Sequence, residues 1–112
     1  MAFADESMES LSSELRRGTL VLCVLSQLKE RQYGYSLSQS LAEKGMDVEQ
    51  GTLYPLLRRL EKQGLLDSDW SLAEARPRRY YVLSAKGEEV LGDLSLEWDG
   101  IVRVLNRMLG KE

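Results

Sequence analysis

Residues 50–64 read QGTLYPLLRRLEKQG, a pattern that is typical of an amphipathic helix. At about 100° per residue, the four leucines of this segment fall on one apolar face that a protein core would cover. Gly64 stands where such a helix ends. The side away from the leucines carries hydroxyl groups and bases: Thr52, Tyr54, Arg58, Arg59 and Lys62. We therefore predict that the leucine face packs on a core while the opposite face is available to another molecule.

Two helices are predicted before this segment. Apolar side chains at spacings of three and four predict one helix over residues 8–29, although Gly18 lies within it. After a polar break, the same kind of spacing predicts a short helix over residues 35–44, which Gly45 would end. The chain thus offers three helices in succession, and the third is the one with the basic face.

A hairpin is predicted after the third helix. Residues 65–72 alternate apolar and polar side chains, and residues 80–83 are rich in aromatic and β-branched ones, so both segments are predicted strands. Trp70 of the first strand is expected to pack against the sheet. The connection carries a proline and three bases: Arg76, Pro77, Arg78 and Arg79. Two strands joined by such a loop form a hairpin with a positively charged tip.

The last predicted helix starts at the capping residue Ser84 and runs to about Leu109. Its 25 or so residues give a length of about 37 Å, whereas the chain before it folds into a body only about 25 Å across. Much of its apolar stripe must extend beyond that body, and the same helix of a second copy is the simplest partner. The stripe residues predicted to form this dimer interface are Leu91, Leu94, Trp98, Ile101, Val102, Leu105, Met108 and Leu109.

Three helices followed by a two-stranded hairpin describe a winged helix-turn-helix. The predicted fold is therefore mainly α with a small β-hairpin. The winged helix-turn-helix would span residues 1–84, and a long C-terminal dimerisation helix would span residues 85–112. The N-terminal helix is free to join the dimer interface. A chain of 112 residues is the right length for one such unit.

The composition excludes most catalytic chemistry. The chain contains no histidine and one cysteine, so neither a Ser-His-Asp triad nor a Cys-His pair is available. The same two counts leave too few nitrogen and sulfur ligands for a zinc site, and no glycine-rich phosphate-binding motif occurs. We therefore expect a protein that is not an enzyme and that needs no metal ion or other cofactor.

The sequence also indicates where the protein resides. No segment approaches the run of about 18 apolar residues that a membrane span requires, so no membrane contact is expected. Residues 1–15 carry four acids and no base, unlike the basic start of a signal peptide. A single cysteine forms no internal disulfide. Together these features predict a protein of the reducing cytoplasm.

Charge is unevenly distributed along the chain. The formal net charge is −3, yet residues 16–81 alone carry a net charge of +3, while the segments on either side are acidic. The basic block contains both the helix of residues 50–64 and the hairpin loop. Local potential, more than overall charge, attracts an anionic partner such as double-stranded DNA.

Four motifs stand in order along the chain. They are RGTL at residues 17–20, YGY at 33–35, GTLYPLLRRLEKQGLL at 51–66 and RPRRYYVLS at 76–84. Together they resemble the PadR-type transcriptional regulators over about residues 16–88, and the single helix that follows is similar to the short class of that family. Two positions depart from the family pattern, since Glu49 replaces a polar cap such as serine and Arg31-Gln32 replaces Gly-Pro.

The resemblance implies a homodimeric DNA-binding repressor that recognises a double-stranded operator. It places the helix of residues 50–64 in the major groove and the hairpin on phosphates or in the minor groove. The residues predicted to contact DNA are Tyr35, Thr52, Tyr54, Arg58, Arg59, Lys62, Arg76, Arg78 and Arg79. Some members of the short class bind flat aromatic molecules between tryptophans at the dimer interface, and Trp98 stands at the matching position.

Each of these roles has a structural alternative. The bases of the third helix could form a solvated face, and the loop arginines could form a soluble turn. Tyr35 could pack between helices, and Trp98 could pack in the dimer interface without a ligand. Two other functions also stay open from the sequence: a winged-helix module that binds a protein instead of DNA, and a sensor that sequesters a small molecule.

Overall fold

The computed structural model describes residues 6–73 and 75–111. Its elements are α1 (Glu6–Arg17), α2 (Leu20–Ser26), β1 (Gln32–Tyr33), α3 (Gly34–Glu43), α4 (Gln50–Lys62), β2 (Leu66–Ser71), β3 (Arg78–Leu83) and α5 (Ala85–Leu109). This order confirms the predicted class, a mainly helical winged helix-turn-helix with a small antiparallel sheet. None of the helices in the described residues is both long and apolar enough to cross a membrane.

The first predicted helix divides in two, so the expectation of one helix over residues 8–29 is wrong. Gly18 and Thr19 separate α1 from α2. Both the backbone N–H and the hydroxyl of Thr19 donate to the carbonyl of Arg16, at 3.0 and 2.8 Å. A threonine that bonds the backbone locally competes with a continuing helix, and the glycine before it adds conformational freedom.

Helix α1 buries none of its side chains in this chain. Its apolar residues Met8, Leu11 and Leu15 lie three and four positions apart, which places them on one face of the helix. Each of the three is more than half exposed. A helix of about 12 residues is marginal in water without tertiary packing, so burial of this apolar face would stabilise α1.

Helices α3 and α4 form the helix-turn-helix pair and confirm the two predicted helices to within about two residues. Glu49 precedes α4 without making a side-chain capping bond, as the departure at this position predicts. Gly64, in the left-handed conformation (φ 81°), ends α4. The N–H of Leu65 then donates to the Leu60 carbonyl at 3.0 Å. This closure directs the chain at once into β2.

The sheet has the antiparallel strand order β1-β3-β2. The β2–β3 register runs from Leu66 opposite Leu83 to Ser71 opposite Arg78. The hairpin is therefore confirmed, although β3 begins two residues earlier than predicted. Nothing in the sequence indicates β1, because two residues are too few to show a period. This strand forms by pairing with β3, where Tyr33 lies opposite Tyr80.

The core lies between the leucine face of α4 and the apolar sides of α2, α3, the sheet and the start of α5. Its buried members are Val24, Leu25, Leu28, Leu37, Leu41, Leu53, Leu56, Leu57, Leu60, Leu65, Leu66, Tyr81, Leu83 and Leu91. The leucine face predicted for residues 50–64 is thus confirmed. Its burial fixes which side of α4 faces outward.

The start of α5 is attached to the end of α4. The hydroxyl of Ser84 accepts a hydrogen bond from the N–H of Gly87 at 3.0 Å and donates one to the carbonyl of Gly64 at 2.6 Å. Ser84 therefore caps α5 as predicted. Gly87 is buried against the carbonyl of Leu65, and a Cβ atom there would overlap that oxygen.

The far half of α5 extends beyond the body, and the protein measures 52 × 33 × 22 Å. Leu91 is buried in the chain's own core, which corrects its assignment to the dimer interface, and Leu94 packs against the same core. Helix α5 packs on α2. Val102 is half-buried. The predicted interface residues that stay exposed are Trp98, Ile101, Leu105, Met108 and Leu109.

Candidate nucleic-acid interface

The outer face of α4 is basic and open. Thr52, Arg58, Arg59 and Lys62 are all exposed on it. Within residues 6–73 and 75–111, neither of these arginines nor the lysine forms an ion pair. Cations that lack an internal counter-charge on one helical face create a local positive potential, which attracts an anion. The structure therefore brings together four of the residues that the sequence predicts to contact DNA.

Tyr54 is not on this open face. It is half-buried and packs against the core. Its ring lies so close to Gly34, at the start of α3, that a Cβ atom on that glycine would overlap the ring. The expectation of an exposed tyrosine is therefore wrong, because the ring fills the space that Gly34 leaves between the two helices.

The wing, meaning the β2–β3 hairpin with its loop, separates its three arginines. Neighbouring residues of a strand point to opposite faces of a sheet. Arg79 shares its face with the buried Tyr81, whereas Arg78 shares the outer face with Tyr80. Arg76 lies in the exposed loop. The arginines therefore do not form the single basic tip that the sequence predicts.

Arg79 is directed toward α4 and is bonded there. Its Nη2 atom donates to both carboxylate oxygens of Glu61, at 3.0 and 3.2 Å, and its Nε donates to the hydroxyl of Ser68 at 3.1 Å. The Ser68 hydroxyl donates in turn to Glu61. The sequence contains no local sign of this cluster, because Glu61 and Arg79 are separated by 18 positions. Glu61 and Ser68 are thus residues of the site that sequence reasoning misses.

The outer face of the sheet carries a second cluster, in which arginines stack on tyrosines. The guanidinium of Arg78 lies 4.4 Å from the ring centre of Tyr33, and that of Arg31 lies 3.9 Å from the ring centre of Tyr80. Arg31 also donates to both carboxylate oxygens of Asp69, at 3.2 and 3.0 Å. Arg31 occupies one of the two positions that depart from the family pattern, and here it ties β1 to the wing.

A cleft of about 370 Å³ runs between α4 and the wing. Arg58, Trp70 and Arg79 are among the residues that line it. Trp70 is 59% exposed, and the Arg79 guanidinium of the neighbouring strand lies 5.8 Å from the centre of its ring, so it packs on the sheet only in part. Trp70 lies near the loop end of β2, opposite Arg79, and this end of the hairpin extends beyond the hydrophobic core.

Tyr35 stands at the edge of this surface. Half of its side chain is exposed, and its hydroxyl accepts a hydrogen bond from Gln39 Nε2 at 2.9 Å. Its ring centre is 6.4 Å from that of Tyr33. The ring therefore packs in part, and contact of Tyr35 with DNA stays a prediction.

Tyr81 is the group of the site whose acidity is altered. Burial raises the pKa of its hydroxyl above 10.0, because the phenolate would lose its hydration. The neighbouring Arg79 guanidinium lowers that pKa, and Glu61 raises it, each by less than burial does. Tyr81 therefore stays neutral beside the Arg79 cluster throughout the physiological range.

Trp98 lies far from these groups, on the overhanging half of α5, and is 38% exposed. Each copy of the chain brings one indole to this surface. A site that holds a flat molecule between two Trp98 rings therefore requires a second copy. Among the described residues, no group of three histidine, cysteine, aspartate or glutamate side chains is arranged to hold a metal ion.

Comparison with known proteins connects this architecture to gene regulation. Residues 21–93 match the family model of the transcriptional regulator PadR-like family. The structure is similar to that of a PadR family transcriptional regulator from Eggerthella lenta DSM 2243, with 44% sequence identity, a TM-score of 0.92 and complete coverage of both chains. The matched segment extends from α2 into α5, and so it includes the helix-turn-helix and the wing.

Two further relatives extend the similarity. A PadR-like transcriptional regulator from Bacillus cereus is 33% identical, with a TM-score of 0.78 over 89% of this chain and 100% of that one. A transcriptional regulator of Mycobacterium tuberculosis is 37% identical over 79 residues, which are 70% of this chain and 74% of the relative.

Proposed function

The chain belongs to the PadR-like family of transcriptional regulators, and on this premise we propose that it is a homodimeric repressor that binds an inverted-repeat DNA operator. The three relatives reported above are transcriptional regulators. The observation that carries the proposal is the outer face of α4, where exposed cations without internal ion pairs stand opposite a fully covered leucine face.

Helix α4 enters the major groove in this proposal. Arg58 and the hydroxyl of Thr52 face base edges, while Lys62 and Arg59 lie toward phosphates. Neutralised phosphates give affinity that falls with salt, and contacts to base edges give sequence preference. The hydroxyl groups of Tyr35 on α3 and Tyr54 on α4 add contacts at the edge of this surface.

The wing supplies the remaining contacts. Arg76 is exposed in the loop, and Pro77 beside it restricts the conformations of that loop before DNA arrives. Arg76 and Arg78 lie on phosphates or at the minor groove.

The dimer brings two copies of this surface to one operator. The overhanging stripe of α5 pairs with its counterpart, and the exposed apolar face of α1 covers part of the partner. The two α4 helices then lie about 34 Å apart, one turn of the duplex, which matches an inverted repeat.

A planar aromatic effector fits this dimer between the two Trp98 rings, by stacking. Such a ligand acts only through a difference in affinity for two dimer geometries. A dimer geometry that changes the distance between the α4 helices weakens both half-sites together. Binding of the effector therefore releases the repressor from its operator.

The test is a titration against the DNA upstream of the protein's own gene and against a scrambled duplex of equal length and composition, at two salt concentrations. The protein is expected to prefer its own upstream duplex by at least several hundredfold, with a steep salt dependence. Arg58→Ala is expected to weaken binding to the upstream duplex by about 1–3 kcal/mol. Arg103→Ala, the same change on α5, is the control and is expected to leave binding unchanged.

The alternatives have different outcomes. Equal and weak binding to both duplexes contradicts regulation of its own gene and places the operator elsewhere. No binding even at low salt contradicts the DNA-binding proposal and favours a winged-helix module that binds a protein. Quenching of Trp98 fluorescence by a flat ligand, without any binding to DNA, favours a small-molecule sensor.

A further inference from the structure

Three side chains join the wing to α4: Glu61 of α4, Ser68 of β2 and Arg79 of β3. We propose that Arg79 is a positioning residue for DNA binding, which holds the wing at a fixed distance from α4 and does not itself contact DNA. This inference rests on the proposed DNA-binding function. It replaces the sequence-based expectation that Arg79 lies on the DNA.

The three side chains form a closed set of hydrogen bonds. Arg79 donates through Nη2 to Glu61, at 3.0 and 3.2 Å, and through Nε to Ser68, at 3.1 Å. The Ser68 hydroxyl completes the set by donating to Glu61 Oε2. Each member bonds the other two, and each belongs to a different element. The hydrogen bonds therefore fix both strands of the wing relative to α4.

These bonds make Arg79 a poor ligand for phosphate. The side chains of Arg79 and Glu61 are only 38% and 28% exposed. Moving the guanidinium onto DNA would leave the Glu61 carboxylate partly buried and without a counter-charge, close to an anionic backbone. Arg58 and Lys62 lie within one turn of Glu61 and are exposed without an ion pair. Arg58 and Lys62 are therefore better suited than Arg79 to bind phosphates.

The opposite face of the wing has an attachment of its own. Asp69 follows Ser68 in β2 and so points to the outer face, where it is paired with Arg31 at 3.0 Å. The Arg31 guanidinium also lies over the ring of Tyr80. Ser68 and Asp69, which are consecutive in β2, are therefore bonded on opposite faces of the sheet. A wing that is fixed before binding loses less conformational freedom when DNA arrives.

The experiment measures the affinity of Arg79→Ala, Glu61→Gln and the double variant for the upstream duplex over a range of salt concentrations. Each single variant is expected to bind about tenfold more weakly, because each removes the same charge-assisted contact. The slope of log affinity against log salt is expected to stay unchanged, since no phosphate contact is lost. The double variant is expected to lose no more than either single variant, as for two residues that act as one unit.

Arg76→Ala is the matched control, because it removes an exposed arginine of the same wing. It is expected to reduce the salt slope by about 0.9 and to weaken binding to the scrambled duplex equally. Arg79→Lys keeps the charge but not the bidentate geometry, so it is expected to behave like Arg79→Ala. A reduced salt slope in Arg79→Ala, rescue of affinity by Arg79→Lys or tighter binding by Glu61→Gln would overturn the proposal.

Hydrogen exchange of the β2 and β3 amides in the free protein tests the attachment without DNA. Faster exchange in Arg79→Ala and Glu61→Gln than in Arg76→Ala, at unchanged thermal midpoints, supports the proposal. Equal exchange in all three variants overturns it. Failure of the wild-type protein to bind any duplex overturns the proposed function instead, and the exchange rates then still decide whether Arg79 holds the wing.

Discussion

Two apolar helical faces of this protein differ in how far the chain itself covers them. The leucine face of α4 is covered entirely by the chain's own α2, α3 and sheet, whereas the stripe on the far half of α5 stays in solvent, with Met108 80% exposed. Both faces have the same helical spacing. The difference teaches that the core of the winged-helix body closes within one chain, while α5 carries an apolar surface that the described residues leave exposed.

The largest effect is expected from a substitution that places a charge on the apolar stripe of α5. Leu105→Asp is expected to give a monomer and to weaken binding to the upstream duplex by about 100-fold or more, because the two half-sites are no longer occupied by one linked unit. Leu105 suits this purpose better than Leu94, which packs against the core of its own chain. Light scattering and DNA titration measure the two effects.

Leu96→Asp is the matched control for that substitution. Leu96 lies on the opposite side of the same helix and is 70% exposed. This variant is expected to stay dimeric and to bind DNA as the wild type does. A Leu105→Asp protein that is still dimeric would contradict the pairing of the α5 helices and, with it, the contrast drawn between the leucine face of α4 and the apolar stripe of α5.

A smaller effect is expected from a change inside the body. Gly87→Ala is expected to lower the free energy of unfolding by about 1–3 kcal/mol, because its Cβ would overlap the backbone carbonyl of Leu65. Gly92→Ala on the same helix has open space around the new atom and is expected to raise that free energy by about 0.5–1 kcal/mol. Urea denaturation at equal protein concentrations measures both values. Equal effects of the two changes would show that the start of α5 is not closely packed.

The smallest expected effect is a dependence of stability on alkaline pH. The pKa of Tyr81 is raised in the folded protein, so this residue contributes stability that is fully present below about pH 10 and is lost as pH rises through the higher folded pKa. The free energy of unfolding of the wild type is therefore expected to fall more steeply above pH 10 than that of Tyr81→Phe. Parallel curves for the two proteins would contradict the burial of this hydroxyl as the cause.

The sequence predicts the elements of this fold better than it predicts their contacts. Helical spacing identifies the leucine face of α4, and the cap at Ser84 marks the start of α5, because both depend on residues only a few positions apart. The break between α1 and α2 is missed, since the periodicity of the apolar residues continues through Thr19 and only its hydrogen bonds to Arg16 show the end of a helix.

The residues of the candidate site also differ in whether the sequence predicts their positions. The exposed bases of α4 follow from the helical period, whereas the partners of Arg79 and Arg31 lie 18 and 38 positions away and depend on the sheet register. Tyr54 is placed on the outer side by its spacing, yet it is partly covered because Gly34 of another helix leaves room for its ring. Only the packing of α3 against α4 reveals that space.

The length of α5 has a mechanical consequence for regulation. Its 25 residues form a lever arm of about 37 Å, with the body at one end and the exposed stripe at the other. In the proposed dimer, a rotation of about 10° at the far end would displace the body by about 6 Å. The rise of the duplex is about 3.4 Å per base pair, so such a rotation moves each α4 helix by nearly two base pairs along the DNA. Because the wing and α4 are bonded together, they would move along the DNA as one unit.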